Sequence, residues 1–423
     1  MEIVRYHECR IDQWGYQEPE EASSVKSIIE SVREHGDEAV RQYTEEFDNV
    51  QVVDFAVGEQ EIDRAVQNLD DGSRKVIESM IDTVRKFAKR QRAQLSDFEF
   101  EIVPNVFTGQ RLSPVAHVGV YAPGGRFPLI SSVIMCAIPA QVAGVETIVL
   151  CSPPRFQGSI HPTMVAAARL CGIKRIYHIG GVQAIAALAY GTESIPPVDM
   201  IVGPGNKYVT QAKKEVFGKV GIDFIAGPTE VVIIADETAR ASIVAADMLA
   251  QAEHDIDALA MLITTSPTLA QHVHDEVYKQ LKGLKTRDVA EISLAKNGMI
   301  VIVDGPEQAI EIANMRAPEH LELHVQDPGA YVDELLHYGS LFIGERAGEA
   351  LGDYSSGLNH TLPTNTCARY TAGLSVITFL RLQTTLRVEE GGLTTIGPVA
   401  QTIAEIEGLD GHAKSVKIRS EGV

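Results

Sequence analysis

The sequence predicts an α/β protein built on two Rossmann-like parallel-sheet domains, preceded by a helical N-terminal segment. Three observations predict it. From about residue 115, short β-branched runs alternate with helical stretches, the pattern of parallel strands covered on both faces. Glycine-rich turns fall in the first half of that region and ionisable residues in the second, so two sheets with separate duties are expected rather than one large sheet. The chain has 423 residues, 45% of them hydrophobic and 22% charged, which suffices for a large core and exceeds one ordinary domain.

Taken in order, residues 1–20 carry Trp14 and the acidic Glu18-Pro19-Glu20-Glu21 and read as an arm. Val25, Ile28, Ile29 and Val32, then Val40, Tyr43 and Phe47, recur every three or four residues around Gly36, which predicts two amphipathic helices broken by a turn. Val76, Ile77, Met80, Ile81, Val84 and Phe87 repeat that spacing. Eight strands are expected, at 117–121, 147–151, 175–179, 199–202, 231–235, 259–264, 299–303 and 340–343, and no internal repeat is readable. The run 239–249 is rich in alanine and favours a helix.

Charge excludes several partners. A formal charge of −20 leaves no basic stripe to neutralise phosphates, which argues against nucleic acid and against an anionic membrane surface. The first residues lack a basic stretch followed by an apolar one, and no apolar run reaches the roughly 20 residues of a membrane span, so a cytoplasmic location is expected. Cys9, Cys136, Cys151, Cys171 and Cys367 are scattered without a CxxC pair, which speaks against a disulfide framework or a zinc ribbon and for buried thiols.

Three loops at expected strand ends suit a phosphate-bearing ligand: Tyr121-Ala122-Pro123-Gly124-Gly125-Arg126-Phe127-Pro128, Gly180-Gly181-Val182-Gln183 and Gly203-Pro204-Gly205-Asn206-Lys207-Tyr208. No GxGxxG follows a strand, so a dinucleotide would be held in a non-standard way. In the second half, Gln251 and His254 share a helix face, and Ala317-Pro318-Glu319-His320 sets an acid beside an imidazole after a rigid turn. Asp353 lies in a turn-rich loop with His360, and His412 in the tail with Glu407. Gln251, His254, Asp353 and His412 would make a plausible nitrogen and oxygen shell for Zn²⁺.

These residues carry a resemblance. The stretches GVYAPGG, MCAIPAQVAGV, GGVQAIAALAYGTE, VGPGNKYVTQAKKEVFG, IAGPTEVVIIAD, DMLAQAEHD, APEHLEL, GDYSSGLNHTLPT and EGLDGHAKSV resemble the histidinol dehydrogenase family, in order and over nearly the whole chain. The resemblance implies an NAD-linked homodimer with one Zn²⁺ per subunit that oxidises a primary alcohol through an aldehyde to a carboxylate in one site: L-histidinol to L-histidine, the last step of histidine biosynthesis. By motif it places zinc on Gln251, His254, Asp353 and His412, acid/base work on Glu319 and His320, and NAD against Tyr121, Gln183 and Asn206. Substrate-side positions fall on Thr229, His360, Glu407 and His320, with the metal ligands themselves also touching substrate.

The implied division of the chain is an arm at 1–18, a first α/β domain from 19–120 and 230–374 holding the metal and acid/base residues, a second at 121–229 with the NAD loops, and a dimer-exchange arm at 375–423. Two departures stand out: Thr229 replaces the family's usual Ser, and the Arg126-Phe127 pair is unusual. The segment 87–128 resembles the paralogous sulfopropanediol dehydrogenases, which act on an anionic diol such as 2,3-dihydroxypropane-1-sulfonate, and Arg126 would suit such a substrate. A non-catalytic binding protein on the same fold would show a damaged metal shell or acid/base pair, and here every such position carries a competent group.

Overall fold

The computed structural model describes residues 1–8, 23–124 and 127–421. Trp14, Cys9, most of the expected N-terminal arm, Gly125 and Arg126 lie outside the described residues. Two parallel sheets form the frame, as expected. The five-stranded sheet runs in the order Arg175–Tyr177, Thr147–Cys151, His117–Tyr121, Met200–Val202, Gly221–Ile222. The six-stranded sheet runs Glu2–Arg5, Met299–Ile302, Leu259–Thr264, Glu230–Ala235, His320–His324, Ser340–Ile343.

Numbered along the chain, both sheets share the order 3-2-1-4-5, with Glu2–Arg5 added outside the third strand of the larger one. Each therefore has a switch point beside its first strand, between His117–Tyr121 and Met200–Val202 in one and between Glu230–Ala235 and His320–His324 in the other. Both sheets are buried on both faces, as their apolar strands require. Val120, Leu150 and Ile176 face one core of the smaller sheet, while Tyr121, Val149 and Cys151 face the other.

The helical segment forms as its spacing predicts. The helix Ser23–Asp48 is broken at Gly36, whose φ of 53° is left-handed, and Val25, Ile28, Ile29 and Val32 are buried. In Asp71–Arg92, Ile77, Met80, Ile81 and Val84 are buried, and Asp70 caps the N-terminus by accepting from the Ser73 N–H. These helices, grouped above with residues 230–374, place their apolar faces on the five-stranded sheet instead: Ile77, Met80 and Ile81 share a core with Val118 and Ile134, and Val25 and Ile28 share one with Tyr121 and Val149.

A third, antiparallel sheet has Val106–Pro114 at its centre, flanked by Phe98–Val103 and Leu380–Val388. Phe98, Phe100, Ile102, Leu382 and Leu386 are each more than half exposed on it, so this ribbon has no core of its own. Beyond it the helices Gly392–Ile406 and Asp410–Glu421 pack chiefly on one another and leave Val399, Ile403, Ile406 and Ile418 exposed. Cys136, Cys151, Cys171 and Cys367 are free and buried, and burial pushes the Cys136 and Cys171 thiols up to about 12. No described helix is long and apolar enough to cross a membrane.

Candidate active site

The acid/base pair sits at the amino end of the six-stranded sheet. The helix Pro306–Arg316 stops at Ala317, whose φ of 46° turns the chain, and Pro318 then directs Glu319 and His320 into the sheet. Both side chains are buried. Glu319 Oε2 accepts from Thr229 Oγ1 at 2.6 Å and from the Glu230 N–H at 3.1 Å. Burial pushes its carboxyl up to about 7, against the pull of His320 and these hydrogen bonds. Such a group exchanges a proton near neutrality.

Thr229 does a second job. Its Oγ1 accepts from Gln251 Nε2 at 2.7 Å, so a relay runs from the Gln251 amide through the Thr229 hydroxyl to the Glu319 carboxylate. With its nitrogen so engaged, Gln251 presents its oxygen: Oε1 is buried and has no hydrogen-bond partner among the described residues. A ligand atom held ready in this way fits a metal ion.

His320 stands in a cage of carboxylates. Its Nδ1 lies 3.7 Å from Glu349 Oε1 and 3.8 Å from Glu319 Oε2, and its Nε2 lies 3.7 Å from Asp353 Oδ1. Burial would lower its pKa, yet Glu349, Glu319 and Asp353 together hold it well above the usual histidine range. Glu349 was not anticipated from the sequence, although it sits four residues before Asp353 and thus on the same helix face. Glu230 was missed too; it pairs with Arg316 at 2.6 Å and accepts the Asn365 N–H at 2.9 Å, fixing the loop opposite His320.

The remaining candidates divide into two groups. Asp353 is buried, and burial is outweighed by His320, His360 and His254, which hold its carboxyl below the usual range. The His360 and His254 rings are lowered by burial, offset in part by Asp353. His254 is nonetheless exposed as a residue, so its ring is flanked by the site while one side remains open to solvent in the single chain. His360 Nε2 is buried without a partner among the described residues. Neutral imidazoles and an ionised carboxylate are the protonation states that bind a metal. His412 and Glu407 are exposed on the C-terminal helices, and the structure does not bring them to this cluster within one chain.

The glycine-rich loops converge at the carboxyl end of the other sheet. Tyr121 is buried, its hydroxyl accepts the Gly181 N–H at 3.3 Å, and burial pushes it up to about 12. Gln183 is fully buried in the first turn of Gly181–Tyr190 with both amide atoms unpartnered among the described residues, as is Ser152 Oγ at the end of the neighbouring strand. Gly203 needs its φ of 114°, since a side chain there would meet the Tyr121 carbonyl. Asn206 caps Lys207–Val216, accepting from the Tyr208 and Val209 N–H groups at 3.1 Å.

A sequence profile described as histidinol dehydrogenase matches residues 15–420. The chain belongs to the histidinol dehydrogenase family. It is 43% identical over 396 residues to the histidinol dehydrogenase of Methanosarcina mazei, covering 94% of this chain and 91% of that one. With the enzyme of Geobacillus kaustophilus it shares 44% over 402 residues, covering 95% and 94%. The crystal structure of histidinol dehydrogenase from Elizabethkingia anophelis superimposes with a TM-score of 0.92 at 36% identity, over 100% of this chain and 98% of that one. A member of this family is an oxidoreductase enzyme, and the parallel-sheet fold is the family's.

Proposed function

We propose that this histidinol dehydrogenase family member converts L-histidinol to L-histidine in the cytoplasm by two successive oxidations in one site. The observation that carries the reading is the buried relay Gln251–Thr229–Glu319 beside the caged His320, which joins a free ligand oxygen to an acid/base pair. Zn²⁺ held by Gln251, His254 and Asp353 would supply a positive anchor for the substrate's nitrogen and oxygen atoms, and NAD held by Tyr121, Gln183 and Asn206 would accept hydride in each oxidation.

His320 takes the hydroxyl proton in the first oxidation, which yields an aldehyde. The carboxylate cage makes it a strong acceptor, and a dication on Asp353 would neutralise one of its three carboxylates and bring it down toward neutrality. Glu319 then takes a proton from the water that adds to the aldehyde, giving the hydrate for the second oxidation; its value near 7 suits that task. His360 faces the substrate, its loop pinned to the other sheet's helix by Asn359 Nδ2, which donates to the Met135 carbonyl at 2.7 Å.

His412 and Glu407 would complete the site from a second copy of the chain. The ribbon and the two C-terminal helices expose a run of apolar side chains, and exchange of such an arm buries them symmetrically. The division of labour is thus a six-stranded lobe with the metal and acid/base groups, a five-stranded lobe for the dinucleotide and an arm from 375–423 for dimer exchange. The test is NADH formation from a panel of primary alcohols with NAD⁺ and Zn²⁺. Histidinol should be oxidised with two NADH per molecule; turnover of 2,3-dihydroxypropane-1-sulfonate in its place would overturn the substrate.

A further inference from the structure

The turn after the strand Met200–Val202 is gripped by two buried charges that take no part in the chemistry described above. Lys213 lies in the last turn of Lys207–Val216, and because helical side chains lean toward the N-terminus, its ammonium reaches back to the turn that precedes the helix. There its Nζ donates to the Gly203 carbonyl at 3.0 Å and pairs with Asp223 Oδ1. Asp223 Oδ2 accepts the Gly203 N–H at 2.8 Å, and Oδ1 accepts the Phe224 N–H at 2.8 Å. The two side chains are only 4% and 1% exposed. Gly203 thus has its N–H held by the anion and its carbonyl held by the cation of one ion pair.

We infer that Lys213 and Asp223 are positioning residues for the cofactor: they fix the turn at Gly203, and through it Pro204-Gly205-Asn206, in the shape that receives NAD. The inference rests on the proposed role of Asn206 in holding NAD. Stability alone does not account for the pair. Taking two charges out of water costs about as much as their attraction returns, so a buried ion pair adds little over an apolar contact of the same size, and its best-attested use is to specify one arrangement. Here the arrangement specified is that of a single residue, Gly203, at the start of the loop.

The sheet does not fix this turn by itself. The strand ends at Val202, and Gly203 leaves the ladder with a φ of 114° against the Tyr121 carbonyl, so the ion pair supplies the partners that a strand neighbour would otherwise give. Any shift of Gly203 would also press on the strand that carries Tyr121, a second residue proposed to hold NAD. Asp223 in turn opens the segment that crosses to the six-stranded sheet and reaches Thr229 six residues later, with the Gly227 N–H donating to Thr364 Oγ1 on the way. One short segment therefore carries the clamp on the cofactor turn at one end and the hydroxyl of the Gln251–Thr229–Glu319 relay at the other. The clamp sets where the dinucleotide turn stands relative to the acid/base pair.

The experiment separates stability from cofactor binding. The full chain, loaded with Zn²⁺, is compared with Lys213→Met, Asp223→Leu and the double variant by thermal melting and by calorimetric titration with NAD⁺. Each single change leaves one buried charge alone and should lower the melting temperature, whereas the double variant removes both charges and should melt close to the parent. NAD⁺ affinity should not recover with it: the Kd of the double variant should stay about 10- to 100-fold above the parent's, with the KM for histidinol unchanged. A double variant that melts near the parent and binds NAD⁺ with the parental Kd overturns the inference and leaves the pair a structural tie. Asn206→Ala distinguishes the two readings. A parental Kd there would refute the cofactor role of the loop and this inference with it; a weakened Asn206→Ala beside an unaffected double variant would refute this inference alone. Should the double variant fail to fold, Asp223→Asn decides, since it keeps an oxygen for the Gly203 N–H and loses the charge that holds Lys213. A raised KM for NAD⁺ with an unchanged KM for histidinol upholds the clamp, and any other split overturns it.

Discussion

Replacing Glu319 by Gln removes a titrating group while keeping shape and an acceptor for the Glu230 N–H. Burial raises the carboxyl from 4.5 to about 7, and at about 1.36 kcal/mol per pKa unit this is about 3 kcal/mol of differential stability. The sign follows from the raised folded value: the contribution is full below the unfolded pKa near 4.5 and is lost as pH rises through about 7. The parent should therefore lose about 3 kcal/mol relative to Glu319→Gln between pH 4.5 and 7, measured by urea unfolding across that window. In rapid-mixing assays by NADH absorbance, the variant should release one NADH per site at near-parental rate and then slow by about 10² to 10⁴, because only the aldehyde's water needs Glu319. In the parent, the second step should rise with pH through about 7. Equal slowing of both steps, or a stability difference flat in pH, would refute the assignment.

His254→Ala should lose most catalytic zinc and activity without unfolding the chain; full activity after dialysis against chelator would contradict the ligand set. Thr229→Val should leave Gln251 Nε2 and Glu319 short of a partner, costing about 1 to 3 kcal/mol and weakening zinc binding, whereas Thr229→Ser should restore both by melting and zinc titration. Mixing His412→Ala with His320→Ala should recover about a quarter of parental activity after subunit exchange, since random pairing makes half the dimers mixed and each holds one intact site of two; no recovery after demonstrated exchange means the tail serves its own chain. Zinc loading should lower the His320 pKa, read from its imidazole resonances, and an unchanged value would remove Asp353 from the shell.

Apolar strands were legible because burial on both faces writes itself as continuous β-branched residues. The expected segments at 117–121, 147–151, 259–264 and 340–343 are strands with those bounds. The interior strand His320–His324 was not legible: a fully buried strand carrying His320, Glu322 and His324 breaks the hydrophobic pattern, and its neighbours Leu321 and Leu323 are too few to restore it. The ribbon strand Phe98–Val103 does alternate Phe, Glu, Phe, Glu, Ile, a period-two signal that helical neighbours obscured. At the site, Glu319 and His320 were visible as a pair, but Glu349 and the relay through Thr229 depend on contacts between elements far apart in sequence. The shared 3-2-1-4-5 order of the two sheets left no repeat in the residues, since topology constrains which faces are apolar and not which residue fills them.

The edge strand Glu2–Arg5 pairs in register with Met299–Ile302 across nearly 300 residues of intervening chain. On the ribosome, at about 5 to 20 residues per second, these four residues wait about 15 to 60 s for the partner they need. Through that interval the helices and the whole five-stranded lobe can fold without them. The larger sheet is consequently closed by a strand made before all its others, and its Met299–Ile302 backbone stays an open edge until the two segments meet.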